Sequence, residues 1–269
     1  MSGGNQASLT AFLAHDPKTV LVTVAQAKGS TPREEGTFML VSKADIFGTI
    51  GGGQLEFMAI DNARAMLTGA GQSQMDIPLG PEIGQCCGGR TLLTFRKLTP
   101  ALATDLESRT AAESAAYPRV MLFGAGHVGQ ALAAALFPLP FSVTVVETRA
   151  EALKGLPAGI EARHVAMPEA LVRDLRPASA VVILTHDHAL DFLIAKEALA
   201  RDDLAYIGMV GSATKRATFK NWLARETEGA ITADRLVLPI GGSAVRDKRP
   251  AVIAALVAAE LLTVLSKDS

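Results

Sequence analysis

The two cysteines of the chain stand side by side in Gly84-Gln85-Cys86-Cys87-Gly88-Gly89. Adjacent thiols suit soft-metal or sulfur chemistry, because the thiolate is both the nucleophile and the soft ligand. A structural cysteine usually sits in an apolar stripe, whereas flanking glycines give a loop through which thiols and backbone amides can approach a ligand. Cys86 and Cys87 are therefore the candidate metal ligands, with Gly88 and Gly89 in the same binding loop. An unreactive loop that happens to hold both cysteines is the plain alternative.

Gly124-Ala125-Gly126-His127-Val128-Gly129 follows the apolar run Val120 to Phe123 and precedes the helical run Gln130 to Phe137. That setting gives a G-x-G-x-x-G pattern its meaning. The first glycine permits the tight turn, the second lets a phosphate approach the backbone, and the third brings helix and strand together at a helix N-terminus that favours the anion. Glu147 ends the next expected strand, at the distance where a carboxylate accepts hydrogen bonds from both ribose hydroxyls of an NAD-type nucleotide. Arg149, two residues on, weakens the exclusion of a 2′-phosphate. A nucleotide-type fold that has lost its ligand would carry the same residues.

Thr185-His186-Asp187-His188 is expected at the carboxyl end of a strand, where open α/β sheets place ligands, and should face the same crevice as the glycine loop. His186 and His188 are suited to coordinate a metal or exchange protons, with Asp187 orienting one imidazole. A metal would need a third ligand, and Asp187 or Asp191 could instead cap the helix beginning near Ala189. In Gly29-Ser30-Thr31-Pro32-Arg33, Pro32 fixes the turn, Ser30 and Thr31 can donate to phosphate oxygens, and Arg33 can grip a phosphate bidentately. An ordinary solvated turn reads the same way. Gly51-Gly52-Gly53 at a helix start is a second candidate anion cradle, or a close backbone crossing. The turn Gly208 to Ser212, followed by Lys215 and Arg216, could bind a further phosphate or carry a cationic partner surface. His15 and His164 have no ligand set beside them in sequence and read as structural.

Two rhythms divide the elements that must position these residues. Before about residue 117, short β-rich runs (20–24, 37–41, 46–50, 75–77 and 91–95) alternate with glycine, and Gln54 to Thr68 repeats apolar residues at helical spacing until Gly69. This predicts a small α+β domain over 1–98 and a helical connector over 99–117. From 118 to 269, strands expected at 120–123, 142–147, 160–165, 180–185, 205–209 and 236–240 alternate with helices, which predicts a Rossmann-like parallel sheet. The last helix should run from about Arg249 to Leu265.

With 269 residues, 49% of them hydrophobic, the chain can bury a proper core. A formal net charge of -1 offers no footprint for nucleic acid and no polybasic patch for a membrane. The N-terminus lacks the basic flank and apolar core of a signal peptide, so a reducing cytoplasm with free thiols is expected. Ala251 to Leu265 is too short to span a bilayer and carries Glu260. Its apolar surface fits either a homodimer contact or a buried core helix.

Five segments in order resemble the XdhC/CoxI family, the accessory proteins that mature xanthine dehydrogenase and related molybdenum hydroxylases. They are Gly29 to Arg33, Gly48-Thr49-Ile50-Gly51-Gly52-Gly53-Gln54-Leu55-Glu56, Cys86 to Gly89, Phe123 to Gly129 and Leu184 to His188, and the resemblance covers nearly the whole chain. It implies a protein that binds molybdenum cofactor (Mo-molybdopterin), shields it while a cysteine desulfurase installs its terminal sulfur, and delivers it to a xanthine dehydrogenase-type apo-hydroxylase; a chaperone without turnover of its own is the leading expectation. Glycine amides suit its phosphate, polar loop residues its pterin and soft thiolates its metal end.

Three departures stand out. Gln54 replaces the cysteine that many relatives have after the triple glycine, Ala213 replaces an arginine, and Gly242 to Asp247 replaces the usual acidic, glycine-containing run. Two other readings compete with the accessory role. One is a nicotinamide-dependent oxidoreductase using Gly124, Gly126, Gly129 and Glu147, with His186 or His188 as proton donor; it leaves Cys86 and Cys87 without a purpose. The other is a nucleotide-sensing module without catalysis.

Overall fold

The computed structural model describes residues 6–80 and 88–266. The chain divides into two compact units, Met1–Glu113 and Ser114–Ser269. The first contains α1 (Gln6–His15), β1 (Val20–Lys28), β2 (Phe38–Val41), β3 (Ile46–Gly48), α2 (Gly53–Leu67), β4 (Gln74–Pro78) and β5 (Arg90–Lys97). Helix α3 (Pro100–Ala116) begins in it and ends in the second. The strands form one antiparallel sheet in the order β3-β2-β1-β5-β4.

Side-chain alternation along β1 decides what each face buries. Val20, Val22 and Val24 pack with Leu55, Ala59 and Ala63 of α2, whereas Leu21 packs with Leu9 of α1 and Leu106 of α3. The apolar spacing in α2 thus meets one face, and Gly69 at φ +95° supplies the left-handed residue beyond its last turn. α1 has no counterpart among the elements expected from sequence.

The second unit contains β6 (Arg119–Phe123), α4 (His127–Leu136), β7 (Ser142–Glu147), β8 (Glu161–His164), β9 (Ala180–Ile183), α5 (His188–Leu199), β10 (Tyr206–Met209), α6 (Ala213–Glu226), β11 (Leu236–Val237) and α7 (Pro250–Leu265). Its six strands are parallel and ordered β11-β10-β9-β6-β7-β8. Counted within this unit the order is 3-2-1-4-5-6 read from the β8 edge, the doubly wound arrangement that reverses direction between β6 and β9. Val120 and Leu122 face α4 and α7, while Met121 and Phe123 face α5 and α6. The crossovers on either side of β8 are 3-10 turns, Ala150–Gly155 and Pro168–Asp174, where alternation had suggested α-helices.

Strand β11 is shorter than the 236–240 expected, since only Leu236 and Val237 pair with β10. Pro239 has no amide to continue the ladder, although Ile240 N–H still reaches Met209 O at 3.3 Å. Helix α7 buries Ala254, Val257, Ala258, Leu261 and Leu265. Glu260 within it accepts a 2.7 Å hydrogen bond from the Tyr206 hydroxyl, so the charge that interrupts its apolar run serves a strand of the same unit. Among the described residues, no helix is long and apolar enough to cross a membrane.

Candidate functional site

Three of the glycine-bearing segments meet at one end of the inner strands β1 and β5 of the first unit's sheet. A Cβ on Gly51, whose φ is +128°, would meet the Pro32 ring at 2.6 Å. One on Gly89 would collide with the carbonyl oxygens of Ser30 and Lys28, the latter at 2.7 Å. Close approach of another backbone is the reason for glycine at Gly89, and the proline ring together with a positive φ the reason at Gly51. The turn itself is tightened by Thr31 Oγ1 donating to Arg33 O at 3.1 Å, and the Ser30 and Arg33 side chains stay exposed. Gly88 N–H donates to Leu79 O and Leu79 N–H to Gly89 O, both at 2.8 Å, so pairing beyond β4 and β5 fixes where the chain returns from the loop. Cys86 and Cys87, which precede Gly88 in sequence, lie outside the described residues.

The triple glycine already holds an anion, and the anion is the chain's own. Glu56, in the first turn of α2, accepts from Ile50 N–H at 3.0 Å and Gly52 N–H at 3.2 Å, and from the Thr49 hydroxyl. Gly52 and Gly53 are left-handed, at φ +78° and +64°, and a Cβ on Gly52 would meet nothing within 4 Å. His15, read as structural, does have ligand neighbours in space. With Asp16 and Asp45 it forms the one group, among the described residues, of three His, Cys, Asp or Glu side chains whose ligand atoms lie within 4.8 Å of one another.

In the second unit the three glycines of the 124–129 loop have three different reasons to lack a side chain. Gly124, at φ +113°, has Leu184 O 2.5 Å from where its Cβ would be, and a Cβ on Gly129 would run into the Gly124 carbonyl. Gly126 at φ -69° is under no such pressure, and a Cβ there would point into open space. It stands at the N-cap of α4, and no side chain caps the helix there. His127 beside it is exposed.

Glu147 is buried at the end of β7 and turned toward this loop. One carboxylate oxygen accepts from Ala125 N–H at 2.9 Å and from Arg149 Nη2 at 3.1 Å. The other accepts from the amides of Thr148 and Arg149 at 3.0 and 3.1 Å, from the Thr148 hydroxyl and from Arg149 Nε. Burial pushes the carboxyl up, yet the Arg149 side chain, the amides of Ala125 and Arg149, and the Arg149 charge outweigh it and hold the group at about 2. The Arg149 side chain remains 49% exposed above a carboxylate that is 3% exposed. A ribose diol would have to compete with that guanidinium.

Thr185 follows β9, and with Glu147 and Thr148 it lines a cleft at the carboxyl ends of β6, β7 and β9. Asp187 is the cap of α5, accepting from Ala189 N–H at 2.8 Å, while His186 and His188 are exposed. Those two imidazoles belong to no group of three ligands among the described residues. The sequence reading offered Asp191 as a cap; the structure gives it a different task. Fully buried, it accepts from the Thr185 hydroxyl at 2.6 Å and amide at 3.2 Å, and pairs with Lys215 Nζ. Lys215 also donates to Val210 O at 2.9 Å, so this buried pair ties the loops after β9 and β10 to the first turns of α5 and α6. The separation of 24 positions between the partners hid the pair from any local pattern.

Comparison with known proteins agrees with this geometry. Residues 120–261 match the XdhC Rossmann domain and residues 13–77 the XdhC and CoxI family. A protein of Escherichia coli K12 described as uncharacterized protein YqeB is 27% identical over 254 residues, covering 91% of this chain. The chain spans 43% of the length of that curated relative. A solved structure from Bacillus halodurans, described as a xanthine dehydrogenase, is 19% identical and superposes with a TM-score of 0.76 over 100% of this chain and 97% of the other, a likeness of fold. Because the Rossmann-domain match alone covers more than half of the sequence, the chain belongs to the XdhC and CoxI family.

Proposed function

We propose that this protein is a molybdenum cofactor chaperone: it binds the cofactor as cargo, shields it during sulfuration by a cysteine desulfurase, and passes it to a xanthine dehydrogenase-type apo-hydroxylase. The observation that carries the reading is the meeting of Gly29 to Arg33, Gly51-Gly52 and Gly88-Gly89 at one end of the inner strands β1 and β5, with Cys86-Cys87 immediately before Gly88 in sequence. Soft thiolates of Cys86 and Cys87 would hold the metal end, and the exposed Ser30 and Arg33 would serve its polar groups. The second unit, taken by itself, would bind a separate phosphate-bearing ligand such as an NAD-type nucleotide at the open face of Gly126 at the start of α4, with His127, His186 and His188 exposed on the same unit. The cargo would supply the redox-active metal and its dithiolene; this chain would supply amides, hydroxyls and thiolates.

The strand order and glycine loop favour a second reading, a nicotinamide-dependent oxidoreductase. Against it stands Glu147, whose two oxygens are taken by protein donors and not left for a ribose. Anaerobic purification followed by metal and pterin analysis separates the two. The chaperone reading expects molybdenum and pterin to co-purify and to be lost in the Cys86→Ala/Cys87→Ala variant, whereas a bound nicotinamide without molybdenum would overturn it. A homodimer is part of the proposal, with the exposed Ala251, Ala255, Ala259 and Val264 of α7 as its contact. Light scattering showing a monomer at micromolar concentration would remove that part.

A further inference from the structure

The carboxyl edge of the parallel sheet holds a second concavity, away from the glycine loop. It lies beyond the ends of β10 and β11, between Val210-Gly211, the 239–248 connection and the first turns of α7, and encloses about 700 Å³. That volume fits a small organic ligand. Strand β10 is the second neighbour of β6, so the concavity is displaced about 10 Å along the sheet from the turn that follows β6.

Its walls have two characters. Val210, Ile240, Ile253 and Leu256 give an apolar inner surface, and the rim carries Arg246 and Lys248. Asp247 between those cations does not neutralise them: Arg249 holds its carboxylate through Nε at 2.8 Å, with its own amide at 2.9 Å. Neither Arg246 nor Lys248 has an ion-pair partner among the described residues. Gly241 and Gly242 are both left-handed, at φ +74° and +68°, and a Cβ on Gly242 would meet nothing within 4 Å, so the backbone there is open to a ligand. An apolar slot with a net positive rim is complementary to a flat, anionic molecule.

We propose that this groove is a separate binding site for a phosphorylated heteroaromatic ligand, whose ring lies against Val210, Ile240 and Leu256 and whose phosphate meets Arg246 and Lys248. Nucleotides and pterin phosphates share that chemistry. The inference does not rest on cofactor delivery, and its test uses probes that contain no metal.

Titration calorimetry with adenosine 5′-diphosphate and, separately, 7,8-dihydroneopterin triphosphate would test it on the full chain. The expected result is saturable binding of at least one probe that weakens tenfold or more in Arg246→Ala/Lys248→Ala and is retained in Gly126→Val. Which probe binds identifies the source of the ligand. Arg246→Glu, a single change on an exposed loop, should weaken the same probe and serves if the double variant proves unstable. Failure of both probes to bind at 1 mM, or binding that Arg246→Ala/Lys248→Ala leaves unchanged, would overturn the site. So would loss of all binding in Gly126→Val alone, since the probe would then occupy the glycine loop. Molybdenum content does not enter any of these outcomes, so the groove and the chaperone reading can fail separately.

Discussion

Each unit of this protein has a glycine loop at the start of a helix, and each loop is answered by a carboxylate of the same chain. In the first unit Glu56 sits one turn into α2 and returns to the amides of Ile50 and Gly52, a contact that spans at most six residues. In the second, Glu147 reaches from a neighbouring strand to Ala125, 22 residues away, and is locked there by Arg149. The first is a local cap at a partly exposed helix start; the second is a buried polar junction between elements. Glycine richness therefore does not measure the capacity to bind an anion, because part of each loop's donor potential is already used. What distinguishes the second loop is Gly126, where neither packing nor a left-handed backbone calls for glycine.

The sharpest way to break the contrast is to attack the buried charges of the second unit. Lys215→Ala would leave Asp191, fully buried, without its cation and should destabilise that unit by about 3–5 kcal/mol. Trp222, the chain's one tryptophan, packs against Phe192 and Phe219 of the same unit. Denaturant unfolding followed by its fluorescence therefore reads the loss directly. Asp191→Asn together with Lys215→Met should recover part of it, since no unpaired charge remains buried. A K215A midpoint equal to wild type would show that the pair adds nothing.

Glu147→Gln comes next, with an expected cost of about 1–3 kcal/mol, because it removes the charged partner of Arg149 and leaves donors unsatisfied. The sign of its pH dependence follows from the lowered carboxyl. Stabilisation by Glu147 is complete above its ordinary value of 4.5 and is lost as pH falls toward about 2. The gap in Trp222-monitored stability between wild type and Glu147→Gln should thus be widest near neutrality and close on acidification through that window. A gap that is constant with pH would mean the ionised carboxylate is not what stabilises the loop.

A smaller effect is expected in the first unit. Glu56→Ala should cost about 1 kcal/mol, the usual magnitude for a lost helix cap. Faster hydrogen exchange at the amides of Ile50 and Gly52 should accompany it, with the Trp222 transition unmoved. A shift in the fluorescence transition as large as that of Glu147→Gln would erase the distinction between local cap and long-range junction.

The difference between these residues also explains what could be read before folding. Strand alternation in β1, the helical spacing of α2 and the strand–glycine–helix run into α4 are local patterns, and each is enough to place its element. The family resemblance, carried by short contiguous segments, was legible for the same reason. Asp191 with Lys215, and Tyr206 with Glu260, are 24 and 54 residues apart. Nothing in the neighbouring sequence marks them as partners. Glu147 was visible as a carboxylate at the right spacing from the glycine loop. Its engagement by Ala125 and Arg149 depends on where β7 ends relative to the loop, which the sheet register decides. The 3-10 crossovers were missed because alternation of strands signals that a connection exists without fixing how many helical turns fill it.

The last prediction has the smallest effect on stability and asks most directly whether the open space at Gly126 is meant for a ligand. Gly126 is an N-cap with φ -69° and ψ -173°, backbone angles that any residue adopts and that suit a serine, whose hydroxyl accepts from the amides of the first turn. No atom lies within 4 Å of where the new Cβ would stand. Gly126→Ser should therefore leave the Trp222 transition unchanged or raise it by a few tenths of a kcal/mol. The same hydroxymethyl group would occupy the volume above the amides of α4 and use donors that an incoming phosphate needs. Binding of a phosphate-bearing ligand to this loop should then fall tenfold or more in calorimetry. Stability and binding would move in opposite directions, which a merely structural glycine could not produce. Equal affinity in Gly126→Ser and wild type would assign the open space to solvent, and with it the second loop would become, like the first, a helix start closed by its own carboxylate.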